Sequence, residues 1–426
     1  MATILAYTSP PAGHLFPMLA LLRELAGRGH LVHVRTYAAG VAAARAAGMT
    51  ADRVDPRIED IVSEDWRAES GRAVLRMTIE TFGGRGAHEL DDLDEAIALV
   101  GPDLVLLDIN CWGAMAAAEA GDVPWAVFSP YTPFLRSAGM SPVGAGKAPW
   151  PGPVGRLRDL GVRAVVQQVF DAPMMVHINT FRALRGLPRL RDVDAVLRRA
   201  PLLLVAGGEP FEYPHPGWGE AVQMIGPCEH DPDAGAAPAW LDDVDGPLIL
   251  VTTSSVKQAD SALVTTALTA FAGADVHVVA TCPAGVPAAI TVPPNATVTG
   301  FLPHGPILDR AVCAITHGGM GVTQKALARG VPVCAVPYGR DQFEVARRVQ
   351  AARCGTRLPG RRLTPRRLRA EVERARTMTP GARRVAEGFA ATGGVARGAD
   401  LLEDHLIRRS VTRSARLGPG ATRRSS

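Results

Sequence analysis

The sequence predicts two α/β domains in tandem, each a parallel sheet covered by helices on both faces. Three observations carry the prediction. Short, continuously apolar runs such as 103–109 (DLVLLDI) and 124–129 (PWAVFS) alternate with stretches of helical periodicity. The same rhythm restarts after a Pro-, Gly- and Asp-rich segment at 228–247. The chain of 426 residues is too long for one compact core and suits two domains of roughly 200 residues each.

Taken in order, a strand is expected at 4–8 and an amphipathic helix at 17–28, with Leu19, Leu22 and Leu25 on one side. A second strand at 31–36, an alanine-rich helix at 38–47 and a third strand near 49–55 follow, then a long helical region over 57–99. Strands at 103–109 and 124–129 flank a helix at 111–120. Residues 130–156, rich in Pro and Gly with Tyr131, Phe134 and Trp150, read as an irregular apolar loop suited to a lid. Strands at 202–206 and 222–226 complete a first domain over 1–227, and 228–247 is the linker. The second domain, 248–385, has strands at 248–253, 275–281, 296–300, 312–316 and 332–336, with basic helices at 365–376 and 380–408. Residues 409–426, rich in Arg, Ser and Gly, are expected to be disordered.

Composition narrows the function. Apolar residues make up 47% and charged residues 21%, a globular balance that excludes a disordered or fibrous chain. The formal net charge is +4, but residues 408–426 carry six arginines and no acid, so the remainder is slightly acidic. Basicity is therefore a property of the tail, and nucleic-acid binding by the body is not expected. No apolar stretch approaches the ~18–20 residues needed to span a bilayer, so no membrane partner is expected. The N-terminus runs into a strand pattern without a charged leader. The six cysteines form no CxxC pair, which fits reduced thiols in a cytoplasmic protein and no metal site. A monomer or homodimer is expected.

In an open parallel sheet, ligands bind beyond the carboxyl ends of the strands, where the strand order reverses. With the order 3-2-1-4-5 in the first domain, His14 (in SPPAGHLFP) and Asp108 fall at that point. A carboxylate beside an imidazole fixes its tautomer and stabilises its protonated form, which makes a general base for a hydroxyl. The plain alternative is that each residue only caps a helix. In the second domain His317-Gly318-Gly319-Met320-Gly321 runs off a strand into a helix, where glycines and free amides suit a phosphate. Thr252-Thr253-Ser254-Ser255 ends another strand of the same sheet, and Asp341-Gln342 follows the next, where it suits the vicinal hydroxyls of a sugar. Ordinary strand-to-helix turns have similar compositions. Trp66, Met77, Phe82, Trp112, Tyr131, Phe134 and Trp150 could line an apolar acceptor pocket, and each also fits ordinary core.

Together, the run THGGMGVTQKALARGVPVCAVPYGRDQFEVARRV (316–349), FLPHGPIL (301–308) before it, and the opening SPPAGHLFPMLALLRELAGRGHLVHV with its GHxxP turn resemble family 1 glycosyltransferases. The likeness is greatest to the bacterial branch that acts on macrolides, enediynes and other natural products. It covers about 1–130 and 222–405, and is loose over 131–221. The resemblance implies the GT-B fold: two Rossmann-like domains facing across a cleft, with a C-terminal helix, placed at 386–408, crossing back to the first domain. It implies inverting transfer, independent of metal, from a dTDP- or UDP-sugar to a small apolar aglycone.

By the same resemblance His14 is the catalytic base and Asp108 its partner. His317, Gly318, Gly319, Met320, Gly321 and Thr323 surround the diphosphate, Asp341 and Gln342 hold the sugar, Phe301 to His304 flank the nucleobase, and Ser254 and Ser255 form a polar turn nearby. The chain departs from the pattern at Lys325, where the family often has a carboxylate on the ribose, and at Val322 in place of Ser/Thr. An ammonium offers donors only, so Lys325 favours a deoxythymidine nucleotide unless it pairs with a nearby acid. A sugar-nucleotide epimerase of the same fold, or an inactive partner, are the competing readings. The acid pairs Asp92/Asp94, Asp192/Asp194 and Asp243/Asp245 are expected on helices or in the linker, away from the cleft.

Overall fold

The computed structural model describes residues 1–417 apart from 11, 69, 232–236 and 259. Seven parallel strands form the first sheet: β1 (Thr3–Thr8), β2 (Leu31–Thr36), β3 (Thr50–Arg53), β4 (Leu104–Asp108), β5 (Trp125–Ser129), β6 (Leu203–Val205) and β7 (Val222–Met224). Their order is β3-β2-β1-β4-β5-β6-β7, so the chain reverses direction across the sheet between β1 and β4. A second sheet holds β8 (Leu248–Thr252), β9 (His277–Thr281), β10 (Ala296–Thr299), β11 (Ala311–Thr316), β12 (Val333–Ala335) and β13 (Gly355–Arg357), ordered β10-β9-β8-β11-β12-β13. Both sheets are buried on both faces, as their unbroken apolar strands require. This is the doubly wound architecture expected, in two copies.

Several elements differ from the sequence reading. The first helix spans Ala12–Gly27 and contains Pro17, so His14 lies inside its first turn and not in a loop before it. Proline marks a helix start only by preference. Here it sits in the second turn, where its missing N–H leaves the Gly13 carbonyl without an i+4 partner. The region 57–99 is two helices. Asp55 caps Pro56–Asp60 by accepting from Arg57 N at 2.8 Å, and Ser70 caps Gly71–Val100 by accepting from Ala73 N at 3.3 Å. Between them lies a single turn, Asp65–Arg67. Strand β13 had no recognisable pattern. Its Gly355 is needed because a Cβ there would overlap the Val333 carbonyl.

The C-terminal stretch also divides. Helix Thr379–Ala391 stays with the second domain, where Phe389 packs on Phe211. Gly393 and Gly394 then adopt left-handed φ values of 94° and 62°, and helix Gly394–Leu417 crosses to the first domain. The crossing starts at 394, not 386. Ala399 and Leu402 join the core beneath helix Ala12–Gly27, and Arg28 pairs with Asp400 and Glu403 at 2.6 and 2.9 Å. The helix continues to Leu417 through residues without Gly or Pro, so 409–417 is not the irregular tail expected. Residues 418–426 lie outside the described residues. The linker is shorter than 228–247, because Leu241 is buried in the core of the second domain. Glu229 and Asp231 are ion-paired to Arg329 and Lys325 of that domain.

Candidate active site

Strand register builds the first half of the site. Tyr7 of β1 is opposite Leu107 of β4, so the two strands end side by side. The helix leaving β1 presents His14, and β4 presents Asp108. Their Nδ1 and Oδ2 atoms are 2.8 Å apart, with the carboxylate fully buried and the imidazole side chain 20% exposed. Asp108 also accepts from the amide of Asn110 at 2.8 Å, and Asn110 Oδ1 accepts from the Tyr131 hydroxyl at 2.8 Å. The Tyr131 ring stands edge-on to His14, with centroids 5.7 Å apart. Burial disfavours the imidazolium, but the charge and hydrogen bond of Asp108, with Asp341 across the cleft, outweigh it and raise the His14 pKa. A carboxylate on Nδ1 holds the proton there and leaves the Nε2 lone pair free to accept one.

The second half is assembled the same way. Thr316 at the end of β11 is opposite Thr252 of β8 and Ala335 of β12, which gathers the turns at 253–258, 317–320 and 336–342 at one edge. Gly318 has φ 88°, and a Cβ at Gly319 would collide with the His317 ring. Gly319 caps helix Met320–Ala328 without a side-chain bond, and the first intrahelical bond to it comes from Thr323 N at 3.2 Å. The amides of Met320, Gly321 and Val322 precede that bond and are available to an anion, with the helix dipole behind them. His317 Nδ1 is buried with no hydrogen-bond partner, and burial lowers the imidazole pKa, aided by Arg340 and opposed by Asp260 and Thr252.

Asp341 is exposed at the helix start facing this cradle. The protein mass around it raises its carboxyl pKa, against the opposing charges of His14 and Arg340. His14 of the first domain and Asp341 of the second thus share one electrostatic environment, which brings the two halves of the site together.

Some expected residues have other duties. Gln342 is buried, its Oε1 accepting from the amides of Tyr338 and Gly339 and its Nε2 donating to Gln258 at 2.8 Å, so its side chain shapes the turn that carries Asp341. Thr323 is fully buried beside Thr316, because its place on the helix turns it toward the sheet. Trp112 is core, packed edge-on to Phe82. His304 is within hydrogen-bond reach of Thr281 Oγ1, at 3.1 Å, and burial lowers its pKa to about 4. Phe301 is 44% exposed. Ser254 is buried, while Ser255 is exposed on the rim. Trp66 lies beneath the Lys257 ammonium, 4.2 Å from its ring centroid. Met77 is half-buried.

Lys325 pairs with Asp231 and donates to the His230 carbonyl at 2.7 Å, the acid-paired alternative to a ribose contact. Asp92 is tied to Arg35 and Tyr7, Asp94 to Arg185, and Asp192 caps a helix.

Three contributors carried no sequence signal. Asp260 accepts from Ser254 N at 2.7 Å and Gln258 Nε2 at 2.9 Å, joining the Ser254 turn to the Gln342 turn. Asp65 reaches Arg340 from the other domain. Phe170 continues the row His14, Tyr131, Phe134 into an apolar groove of about 690 Å³, lined also by Ala145, Leu157, Val162 and Val166. Asp65 and Phe170 depend on residues distant in the chain, and Asp260 on a turn whose link to Gln342 spans 84 residues.

Residues 265–397 match the family described as erythromycin biosynthesis protein CIII-like, C-terminal domain. The 4'-demethylrebeccamycin synthase of Lentzea aerocolonigenes is 29% identical over 428 residues, covering 94% of this chain and 99% of that protein. The oleandomycin glycosyltransferase of Streptomyces antibioticus is 27% identical, covering 95% and 91%. Among solved structures, the glycotransferase of kitacinnamycin superposes with a TM-score of 0.74 at 25% identity over 95% of this chain and 99% of that one. The calicheamicin glycosyltransferase CalG4 shares the fold with a TM-score of 0.72 at 23% identity, covering 96% and 98%.

Proposed function

We propose that the chain, similar to GT-B-fold glycosyltransferases of natural-product pathways, transfers a sugar from a nucleoside diphosphate to an aglycone with inversion and without a metal. One observation carries the reading. The His14–Asp108 pair opens onto the same cleft as Asp341 and the uncapped helix at Met320, a base facing an anion cradle. The relatives are transferases, which speaks against the epimerase reading, and the intact His14–Asp108 pair beside Asp341 favours an active enzyme over an inactive partner.

His14 Nε2 takes the proton of an acceptor hydroxyl as its oxygen attacks the anomeric carbon. The bond from that carbon to the diphosphate oxygen breaks, and its electron pair leaves with the nucleotide. Asp108 stabilises the imidazolium formed. The amides at 320–322 and His317 stabilise the developing charge on the diphosphate, which is the role a divalent cation fills in metal-dependent enzymes. Attack and departure on opposite faces of the sugar invert the anomeric centre. Asp341, near enough to His14 for each to shift the other's pKa, holds sugar hydroxyls in this reading. The apolar side of the cleft, from Tyr131 and Phe134 to Phe170, suits a small hydrophobic aglycone. Six unpaired, buried cysteines support a reducing, cytoplasmic setting.

The test uses dTDP-glucose and UDP-glucose with 2-naphthol as probe acceptor, product configuration being read by proton NMR. A β-glucoside formed at an undiminished rate in EDTA is expected. An α-glucoside, or a rate restored only by added cation, would overturn the mechanism.

A further inference from the structure

Glu89 lies behind the His14–Asp108 pair, on helix Gly71–Val100, and is fully buried. Its Oε1 accepts from the Ser9 hydroxyl at 2.6 Å, and its Oε2 accepts from the amide of Gly113 at 3.0 Å and lies 3.5 Å from that of Ala114. Ser9 stands between β1 and the helix that presents His14. Gly113 and Ala114 form the N-terminal turn of helix Trp112–Ala120, which follows Asp108. One carboxyl therefore holds the two loops that carry the pair.

The surroundings reinforce this arrangement. The Ser9 amide donates to Cys111 Sγ at 3.3 Å, the Ser9 carbonyl accepts from Arg85 Nη1 at 3.4 Å, and the Cys111 amide donates to the Asp108 carbonyl at 3.0 Å. Glu89 reaches the turn because its helix passes unusually close. A Cβ at Gly113 would overlap the carbonyl of Gly86, one turn before Glu89. Burial raises the Glu89 carboxyl to about 7, opposed by Ser9, the two amides and Arg85. A carboxyl in dry protein is less favourable than an apolar side chain of the same size unless it makes bonds that the apolar one cannot. The bonds made here are the ones that join the two loops.

We propose that Glu89 is a positioning residue for the His14–Asp108 pair, fixing the loop of each member against the other so that the imidazole is aligned with the acceptor. The proposal rests on the reading of His14 as the base. Glutamine at 89 can keep both links, with its oxygen toward the amides and its NH2 toward Ser9 Oγ. Alanine keeps neither.

Steady-state kinetics with dTDP-glucose and 2-naphthol test the proposal, with melting temperatures for each variant. Glu89→Ala is expected to lower kcat roughly 10- to 100-fold with donor KM within about twofold, as misplacement by an ångström does. Glu89→Gln should stay within about threefold of wild type, and Ser9→Ala, the milder cut, should fall between. Glu89→Ala added to His14→Ala should slow the reaction no further, because Glu89 acts through His14. A lowered melting temperature with kcat unchanged, an additive double variant, or a donor KM that moves with kcat overturns the proposal. Should Glu89→Ala not fold, Ser9→Ala against Glu89→Gln decides it alone. A His14→Ala variant of undiminished rate would instead overturn the reading of the base.

Discussion

Arg340 crosses the cleft to Asp65, its Nε and Nη2 lying 2.8 and 2.7 Å from the two carboxylate oxygens of an acid that is 3% exposed. Arg340 adopts a left-handed φ of 54° to do so, a conformation that costs a non-glycine residue about 1–2 kcal/mol. The next residue is Asp341. Beside this pair the Trp66 ring lies under Lys257, so the turn Asp65–Arg67 is bonded twice to the donor-side domain.

Cutting this contact should be felt at the donor. Asp65→Ala is expected to raise the KM for the nucleotide sugar about tenfold, roughly 1.4 kcal/mol, which is less than a fully buried pair loses because Arg340 is 27% exposed. Trp66→Ala should act in the same direction and more weakly. Steady-state kinetics at saturating acceptor check this, and an unchanged donor KM would show that the contact serves only domain packing.

The raised pKa of His14 fixes the sign of a pH effect. The base works when neutral, so kcat/KM should fall as pH drops through a value above the ordinary ~6.5. Asp108→Asn removes the main charge that raises it. The acid limb should move to lower pH while kcat falls by about 10²–10⁴. The pair's contribution to stability has the opposite trend: it is fully present below the ordinary histidine pKa and is lost as pH rises through the folded value. Rate profiles and melting temperatures from pH 5 to 9 test both, and a limb unmoved in Asp108→Asn contradicts the assignment.

His317 is held below the usual histidine range, with Nδ1 unpartnered. A bound diphosphate would favour the imidazolium, so dTDP affinity should rise as pH falls from 8 to 6. Calorimetry of His317→Ala should show a shallower pH dependence and weaker binding, by about 1.5–3 kcal/mol for a lost bond to a charged group. Equal slopes in the two proteins would remove His317 from the diphosphate site.

At Lys325 an ion pair decides the outcome of a glutamate substitution. Its ammonium pairs with Asp231, and that carboxylate also accepts from Gly305 N at 3.1 Å. Lys325→Glu would set two acids against each other and remove one of the linker's two ion pairs to the second domain, leaving Glu229–Arg329. A lower melting temperature is expected, partly restored by adding Asp231→Asn. Competition between UDP and dTDP on wild type then reports nucleotide preference directly. A glutamate variant as stable as wild type would contradict the pairing.

The alternation of apolar strands with helical stretches determined both sheets, because a strand buried on two faces must be apolar throughout and leaves a mark in the chain. Strand order alone brings His14 and Asp108 together, since a β1–β4 neighbour follows from how such sheets are wound. The glycines after His317 were legible for a similar reason: a left-handed φ at Gly318 and the His317 ring against Gly319 leave little choice of residue. Pro17 inside a helix and the break at Gly393-Gly394 were not, because proline and glycine mark boundaries only by preference.

What the tertiary structure alone decided is how side chains distant in sequence divide the work. Gln342 turned out to hold its own turn, Lys325 to hold Asp231, and Asp65 and Glu89 to brace the site from segments that gave no signal. A local pattern records which backbone a residue can adopt. The partner of a buried polar group is chosen by whatever the fold brings within about 3 Å of it, and in this chain those partners lie from 6 residues away, as for Ser254 and Asp260, through 84, as for Gln258 and Gln342, to 275, as for Asp65 and Arg340.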